Sequence, residues 1–226
     1  SSIMKPLERL PLLKEISPLT SAISRYSRTR SFLSSDPAAI ITLMPLAVIL
    51  PTSEANAIVE TSEGFIWIGS YAGLIRYDGN TFERMDPSGG LTSIKCLYVD
   101  SKDRLWIGTN DNGIAVMEQG ELRTRGKLDG MRSAHTRSIT EDSNGMIYIA
   151  TTSGIMMIDR EYNLTSLDNT AIAEANMRDI RAGSDGSVYG TTDLGALMMI
   201  RDGKLIKYIS LEENPLDGAG AILPDL

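Results

Sequence analysis

Short apolar runs alternate along the chain with polar, glycine-containing segments. In residues 56–80 the runs NAIVE, FIWI and LIRY are separated by TSEG and GSYAG and are followed by DGN. Runs this short, with β-branched and aromatic residues, predict strands rather than helices. Each glycine would also cost a helix about 1 kcal/mol relative to alanine. The pattern therefore predicts antiparallel strands at 65–68 and 74–77, with a loop at 69–73 between them.

The same pattern recurs along the chain at a fixed period. The segments SEGFIWIGS, SKDRLWIGT, SNGMIYIAT and SDGSVYGTT align on the aromatic residues Trp67, Trp106, Tyr148 and Tyr189, which are 39, 42 and 41 residues apart. Each unit has one apolar segment before the aromatic strand and two after it, which makes four short strands. Four antiparallel strands at a period of about 40 residues are typical of a β-propeller blade. We therefore predict an all-β fold of four β-propeller blades, which form an incomplete propeller.

The repeats begin near residue 50, where the composition changes. No glycine precedes Gly64, whereas all 20 glycines lie from that residue onward. We predict a non-repeat N-terminal extension over residues 1–49 and propeller repeats over 50–226. The predicted blades lie near 50–85, 91–125, 134–168 and 175–211, with the start of a fifth at 219–226.

The N-terminal extension ends in the apolar run AAIITLMPLAVIL at 38–50. A run of 13 residues is too short to span a bilayer as a helix. It follows a basic segment, so one interpretation is a signal peptide with SEA at 53–55 as its cleavage site. Cleavage there would cut into the first repeat, however. We favour a poorly ordered extension or a segment that is not native to the repeat protein, and we expect the chain to be a fragment of a longer protein.

Composition and charge exclude several classes of function. A net charge of −7 argues against nucleic-acid binding, which needs a basic surface. The single cysteine, Cys96, permits no internal disulfide, and the single histidine, His135, argues against a zinc enzyme. The segments DSNG and NDNG lack the alternating oxygen ligands and the distal glutamate of a calcium loop, and they are interpreted as turns. We expect neither a metal nor a cofactor.

The repeat motif resembles that of a known family. DSKDRLWIGTNDNGIAV at 100–116 is similar to the pattern D-x-x-G-x-[IL]-W-[IL]-G-T-x-x-G-[IL] of the two-component regulator propeller repeat, and residues 50–79 resemble it nearly as well. The last two repeats match less closely, because tyrosine replaces tryptophan and Ala150 replaces one glycine. In that family the repeats form large propellers on the outer side of the bacterial membrane. A membrane span and a histidine kinase or diguanylate cyclase follow them.

The resemblance implies a periplasmic or extracellular sensor whose ligand is commonly a carbohydrate. Ligand contacts in propellers usually come from loops at one face. In a four-stranded blade the loop between the second and third strands shares that face with the connection between blades. The tryptophans and the methionines of the third strands are predicted to pack in the core. The candidate ligand-binding residues are the polar and aromatic side chains of this face: Tyr71, Asn110, Asp111, Arg132, His135 and Asp193.

The sequence is compatible with three functions. The first is a sensory binding module, not an enzyme, of a signalling receptor. Its partners would be a small-molecule or oligosaccharide ligand, the remaining blades and an effector domain. The second is a scaffold for protein interactions, and the third is a propeller lyase or glycosidase, which would need convergent acids or a base. Open blade edges also predict that the chain either self-associates or adopts an open, curved array.

Overall fold

Four small antiparallel sheets follow one another along the chain in the computed structural model. The structure describes residues 54–126 and 129–210. The predicted extension at 1–49 and the predicted start of a fifth repeat at 219–226 lie outside the described residues.

Each sheet has four strands in sequence order, so each is one propeller blade. Blade 1 contains β1 to β4, at Ala57–Glu60, Ile66–Ser70, Gly73–Tyr77 and Phe82–Arg84. Blade 2 contains β5 to β8, at Ile94–Val99, Leu105–Thr109, Ile114–Glu118 and Glu121–Arg125. Blade 3 contains β9 to β12, at Thr136–Glu141, Ile147–Thr151, Gly154–Ile158 and Leu164–Ser166. Blade 4 contains β13 to β16, at Met177–Ala182, Val188–Thr192, Leu197–Arg201 and Lys204–Ile209. The predicted all-β fold of four-stranded blades is confirmed.

The loop between the second and third strands is shorter than the sequence predicts. Ser70 pairs with Gly73, so only Tyr71 and Ala72 remain outside the ladder. The hydroxyl of Ser70 donates to the carbonyl of Gly73 at 3.0 Å and closes the turn. The predicted loop over 69–73 is therefore wrong at both ends, because a side-chain hydrogen bond extends the hairpin.

Consecutive blades pack through their first strands. β1 contacts β5, β5 contacts β9 and β9 contacts β13. Across residues 54–126 and 129–210, no comparable packing joins β1 to β13. Apolar clusters fill the space between blades, and each contains the aromatic of the earlier blade: Trp67, Trp106 or Tyr148. The aromatic of one blade is therefore covered by the second and third strands of the next.

The glycine of the WIG motif serves this packing between blades. Gly69 lies inside β2, and a Cβ there would overlap the side chain of Ile94 on the first strand of the next blade. At the matching position in β6, a Cβ on Gly108 would lie 2.6 Å from Cγ2 of Thr136, which begins the first strand of blade 3. Gly69 is therefore needed for a close approach of two strands, not for the loop that the sequence suggested.

The aromatic of the second strand is also held by a carboxylate in three of the blades. Asp100 accepts a hydrogen bond from the indole N–H of Trp106 at 2.7 Å and from Arg104 Nε at 2.5 Å. In the two later blades, Asp142 and Asp185 accept from the hydroxyls of Tyr148 and Tyr189. These carboxylates come from the turn between the first and second strands, so each turn fixes the ring that follows it.

Candidate functional site

The loops between second and third strands meet the connections between blades at one face of the sheets. The backbone N–H of Asn110 donates to the carbonyl of Ser93 at 2.9 Å. The equivalent bonds run from Thr152 to His135 at 3.2 Å and from Asp193 to Asn176 at 2.9 Å. Each loop is therefore fixed to the preceding connection through its main chain. We call this side of the molecule the loop face.

Three of the six candidate residues come together around Ser93. The N–H of Ser93 donates to the carbonyl of Tyr71 at 3.0 Å, and its hydroxyl donates to Asp111 Oδ2 at 3.1 Å. Its carbonyl accepts from Asn110, as described above. Ser93 has a positive φ of 51°, which turns its main chain toward both neighbouring loops. Sequence reasoning missed Ser93, because nothing in its type or spacing marks it.

A pocket of about 300 Å³ opens beside this group in blade 2. Its polar lining includes Thr109, Asp111, Asn112 and Asp129, and glycines of the two neighbouring connections complete it. Asn112 donates to Asp111 Oδ1 at 3.0 Å, so the carboxylate of Asp111 is held between an amide and a hydroxyl. The volume is at the lower end of the range of small-molecule sites, about 300–1,000 Å³.

The connection between blades 1 and 2 is shaped by a short 3₁₀ turn at Pro87–Gly89. The carboxylate of Asp86 accepts a hydrogen bond from the N–H of Ser88 and caps the turn. This backbone hydrogen bond lowers the pKa of Asp86 below its ordinary value. The cap places Gly89 and Gly90 at the edge of the pocket.

Arg132 is engaged in holding two connections together. Its guanidinium donates to the carbonyl of Ala173 at 3.2 Å, to Ser166 Oγ at 3.1 Å and to Asp168 Oδ1 at 3.0 Å. These three acceptors belong to blade 3 and to the connection that leaves it. Arg132, which the sequence predicts to bind a ligand, is therefore already hydrogen-bonded to other residues of the protein.

The other candidates lie on the loop face with exposed side chains. His135 and Asp193 are exposed, and their main chains form the loop bonds described above. Tyr71 is 51% exposed, and Leu194, beside Asp193, is 78% exposed. Leu194 was not among the sequence candidates, because those were restricted to polar and aromatic side chains. The loop face therefore carries exposed apolar as well as polar groups.

Within the described ranges, no cluster of three or more histidine, cysteine, aspartate or glutamate residues has the geometry to hold a metal ion. In the same part of the chain, no helix is long and apolar enough to cross a membrane.

Several solved structures are similar to this chain. Virginiamycin B lyase from Staphylococcus aureus is 18% identical, with a TM-score of 0.61 over 74% of this chain and 57% of the lyase. The extracellular domain of a putative hybrid two component system from B. thetaiotaomicron is also 18% identical, with a TM-score of 0.61 over 76% of this chain and 24% of that one. A second such domain from the same organism is 21% identical, with a TM-score of 0.58 over 77% and 24%. Identities this low show the propeller fold alone.

The chain spans 57% of the lyase and 24% of each two component domain. No curated protein sequence matches the chain significantly. A family model does match it, at residues 49–72 and 88–111, and its description is two component regulator propeller. These segments include β2 of blade 1 and β6 of blade 2, which contain the WIG motifs. These two segments of the chain therefore match the repeat of the two component regulator propeller family.

Proposed function

We propose that the chain is a ligand-sensing part of a bacterial signalling receptor of the two-component or diguanylate-cyclase kind. The family repeats in its first two blades support this proposal. So do the two similar domains of hybrid two component systems, which are extracellular. On this proposal the propeller lies in the periplasm or at the outer face of the membrane. Further blades and an effector domain then belong to the same receptor.

The observation that carries the proposal is the construction of the loop face. Main-chain hydrogen bonds fix the loops, so the side chains of Tyr71, Asp193 and His135 are left exposed on a rigid frame. Binding residues on loops positioned by a rigid scaffold are common in proteins. The frame lowers the entropy cost of binding, because the loops are already ordered.

The ligand class that this face fits best is a carbohydrate. Tyr71 offers an exposed ring for stacking, and the pocket of blade 2 offers the carboxylate of Asp111 and the amide of Asn112. Sugars present apolar ring faces and hydroxyls that both donate and accept. A mixed lining of this kind satisfies both features.

Thermal-shift and calorimetric titrations with oligosaccharides test the proposal. We expect binding that Tyr71→Ala and Asp111→Ala weaken by about tenfold or more, which corresponds to losing about 1.4 kcal/mol of binding free energy. Lys204→Ala, at an exposed position of the outer strand β16, is the matched control and leaves affinity unchanged. Absence of binding to a broad library of small molecules would contradict a sensory role.

A scaffold for protein interactions is the second candidate. Tyr71 and Leu194 are both large, apolar and exposed, and both lie on the loop face. Aromatic residues are enriched at protein interfaces. A partner protein that co-purifies with the receptor, and is lost in a Leu194→Asp variant, would favour this alternative over a small ligand.

A propeller lyase or glycosidase has less support. His135 is exposed, and its ring forms no hydrogen bond with any residue in the described ranges. General-base catalysis is usually supported by a second group that orients the base. The likeness to the lyase rests on the fold. Binding is therefore the function that we propose.

A further inference from the structure

A cleft of about 570 Å³ lies between blades 1 and 2, among the turns that join first to second strands and third to fourth strands. Blade 1 lines it with Glu63, Phe65, Trp67 and Arg76, and blade 2 lines it with the turn at 118–120 and the turn at 102–105. None of the six loop-face candidates is among its lining residues. Three departures from the repeat converge on this cleft.

The first departure concerns the indole N–H of Trp67. In blade 2 the equivalent N–H of Trp106 is bonded to Asp100. The position of Asp100 is occupied in blade 1 by Thr61, whose hydroxyl donates to the carbonyl of Phe65 instead. Within residues 54–126 and 129–210, the N–H of Trp67 has no acceptor, although the residue is only 6% exposed. The buried side-chain nitrogens and oxygens without a partner in these ranges are Arg137 Nε and Thr191 Oγ1, so the N–H of Trp67 is open to the cleft and free to donate to a ligand there.

The second departure is an arginine at an apolar position. The residue paired across the strands with the aromatic is Val116, Met157 or Met199 in blades 2 to 4. In blade 1 it is Arg76. Its guanidinium lies 4.6 Å from the centre of the Phe65 ring and pairs with Glu83 at 2.5 Å, while 37% of its side chain stays exposed. It therefore retains donors that face the cleft.

The third departure is the size of the turn that covers the aromatic. Between blades 2 and 3, the turn at 159–163 places Tyr162 against Trp106, with ring centres 6.3 Å apart. The Tyr162 hydroxyl donates to Glu118 at 2.6 Å and accepts from Arg104 at 3.0 Å. Between blades 1 and 2 the corresponding turn is only Gln119–Gly120. The smaller turn leaves open the space that a polar ring fills at the next junction, where the remaining pocket is about 50 Å³.

The charges around the cleft favour a neutral ligand. Its lining holds three cations and three anions, namely Arg76, Lys102, Arg104, Glu63, Asp103 and Glu118. Most of these are already bonded: Arg76 to Glu83, Arg104 to Asp100, Asp103 to Ser62 and Glu118 to Tyr162. The side chains of Glu63, Lys102 and Gln119 at the rim have no hydrogen bond or ion pair among the described residues. They offer one anion, one cation and one amide, which together can accept hydrogen bonds from the hydroxyl groups of a ligand and donate hydrogen bonds to them.

We propose that the cleft between blades 1 and 2 binds a neutral saccharide unit. A ring hydroxyl accepts from the indole N–H of Trp67, and other hydroxyls meet Arg76 and the rim. The apolar face of the sugar lies on Phe65, in the way that Tyr162 lies against Trp106 at the next junction. The site is separate from the loop face, and it rests on the proposed function only in that the chain is a ligand sensor.

Calorimetric titration of the whole chain with neutral disaccharides (maltose, cellobiose, lactose and sucrose) tests this site. At least one is expected to bind, and Trp67→Phe and Arg76→Val are each expected to weaken it by about tenfold, as the loss of one hydrogen bond in a desolvated site predicts. Trp67→Phe keeps a ring but removes the N–H, and Arg76→Val introduces the residue that blade 2 has at this register. Arg178→Val, at an exposed arginine of β13 away from the cleft, is the control and keeps full affinity.

Fluorescence gives a second measurement that needs no variant to fold. Trp67 and Trp106 are the two tryptophans of the chain, and Trp106 is 1% exposed with its N–H bonded. A sugar hydroxyl that accepts from the Trp67 N–H changes the emission of this residue, and the titration gives the same affinity as calorimetry. If a sugar binds without changing the emission, and only Asp111→Ala weakens it, the cleft site is wrong while the proposed sensory function stands. If no neutral disaccharide binds, the cleft site is overturned, and the broader library screen decides the proposed function by itself.

Discussion

At the scale of single residues, Asp100 connects the turn of blade 2 to its aromatic strand. Its carboxylate accepts from the backbone N–H groups of Lys102 and Arg104 at 3.0 and 2.9 Å as well as from two side chains. The side chains of Asp100 and Arg104 are 0% and 3% exposed. Breaking a buried, hydrogen-bonded pair is costly because the partner left behind keeps its charge without compensation. The leading aspartate of the repeat motif is therefore a structural residue.

Asp100→Asn is expected to lower the free energy of unfolding by about 3–5 kcal/mol, because it leaves Arg104 buried without a counter-charge. Urea denaturation followed by circular dichroism measures the change. Asp193→Asn removes the same charge at an exposed position of the loop face and is expected to change stability by less than about 0.5 kcal/mol. Equal effects of the two variants would contradict the structural role of Asp100.

The thiol of Cys96 gives a second residue-level prediction. Burial raises its pKa to about 12. Because the thiolate is the reactive form, and its fraction at pH 8 falls by more than about 1,000-fold, the folded chain is expected to react with a disulfide reagent at least about 1,000-fold more slowly than free cysteine. Unfolding in guanidinium should restore the ordinary rate. In the unfolded chain this thiol ionises at about pH 8.5, well before it does so in the folded chain. Its ionisation therefore lowers the free energy of unfolding as the pH rises from that value toward 12. Rapid reaction of the folded chain would contradict this prediction.

At the scale of strands and blades, the close approach at Gly108 controls how tightly blade 2 meets blade 3. Gly108→Ala is expected to destabilise the fold by about 1–3 kcal/mol, because the new methyl group would press on Thr136 and Cys96. Gly126→Ala is a fair control, since its nearest heavy atom is 3.5 Å from the added carbon. Thermal denaturation of both variants measures the difference. A Gly108 variant as stable as the control would mean that the strands can separate at no cost.

The periodicity of the sequence predicted these elements well for a physical reason. Every blade must bury the same faces against its neighbours, so each strand repeats its apolar pattern every 40 residues or so. The exact ends of β2 and β3 did not follow from that pattern, because the Ser70 side chain extends their ladder. Gly69 was interpreted as a loop residue, since its true contact, Ile94, lies on another blade.

Less of the candidate site than of the fold could be predicted from the sequence. The rule that second-to-third strand loops share a face with the connections led to Tyr71, Asn110 and Asp111, which the structure joins through Ser93. Arg132 was predicted as a polar side chain of this face, and its acceptors, 34 to 41 residues away in sequence, could not be identified from the sequence. The cleft beneath Trp67 depends on the length of a turn in the next blade. A single repeat does not contain that information.

At the scale of the whole molecule, blade 4 has a face that corresponds to the aromatic-bearing faces of blades 1 to 3. On that face Tyr189, Leu197 and Met199 line an apolar depression of about 390 Å³. Between the earlier blades, the corresponding face is covered by the next sheet. An apolar face of this kind favours association with another sheet.

Self-association of the chain is the expected result. Light scattering over a range of concentrations should show a mass above that of one chain, and Met199→Glu should reduce it by placing a charge on this face. Thr165→Glu adds the same charge at an exposed position of β12 and should leave association unchanged. A single-chain mass at every concentration would contradict the prediction.

The main-chain bonds of the loop face have a consequence for evolution and engineering. Asn110, His135 and Asp193 take part in them through their N–H or carbonyl groups, which every residue except proline can supply in full. Substitutions at these positions can therefore accumulate without loss of the frame. Homologous propellers are expected to differ most at such positions, and a library randomised there should yield folded variants.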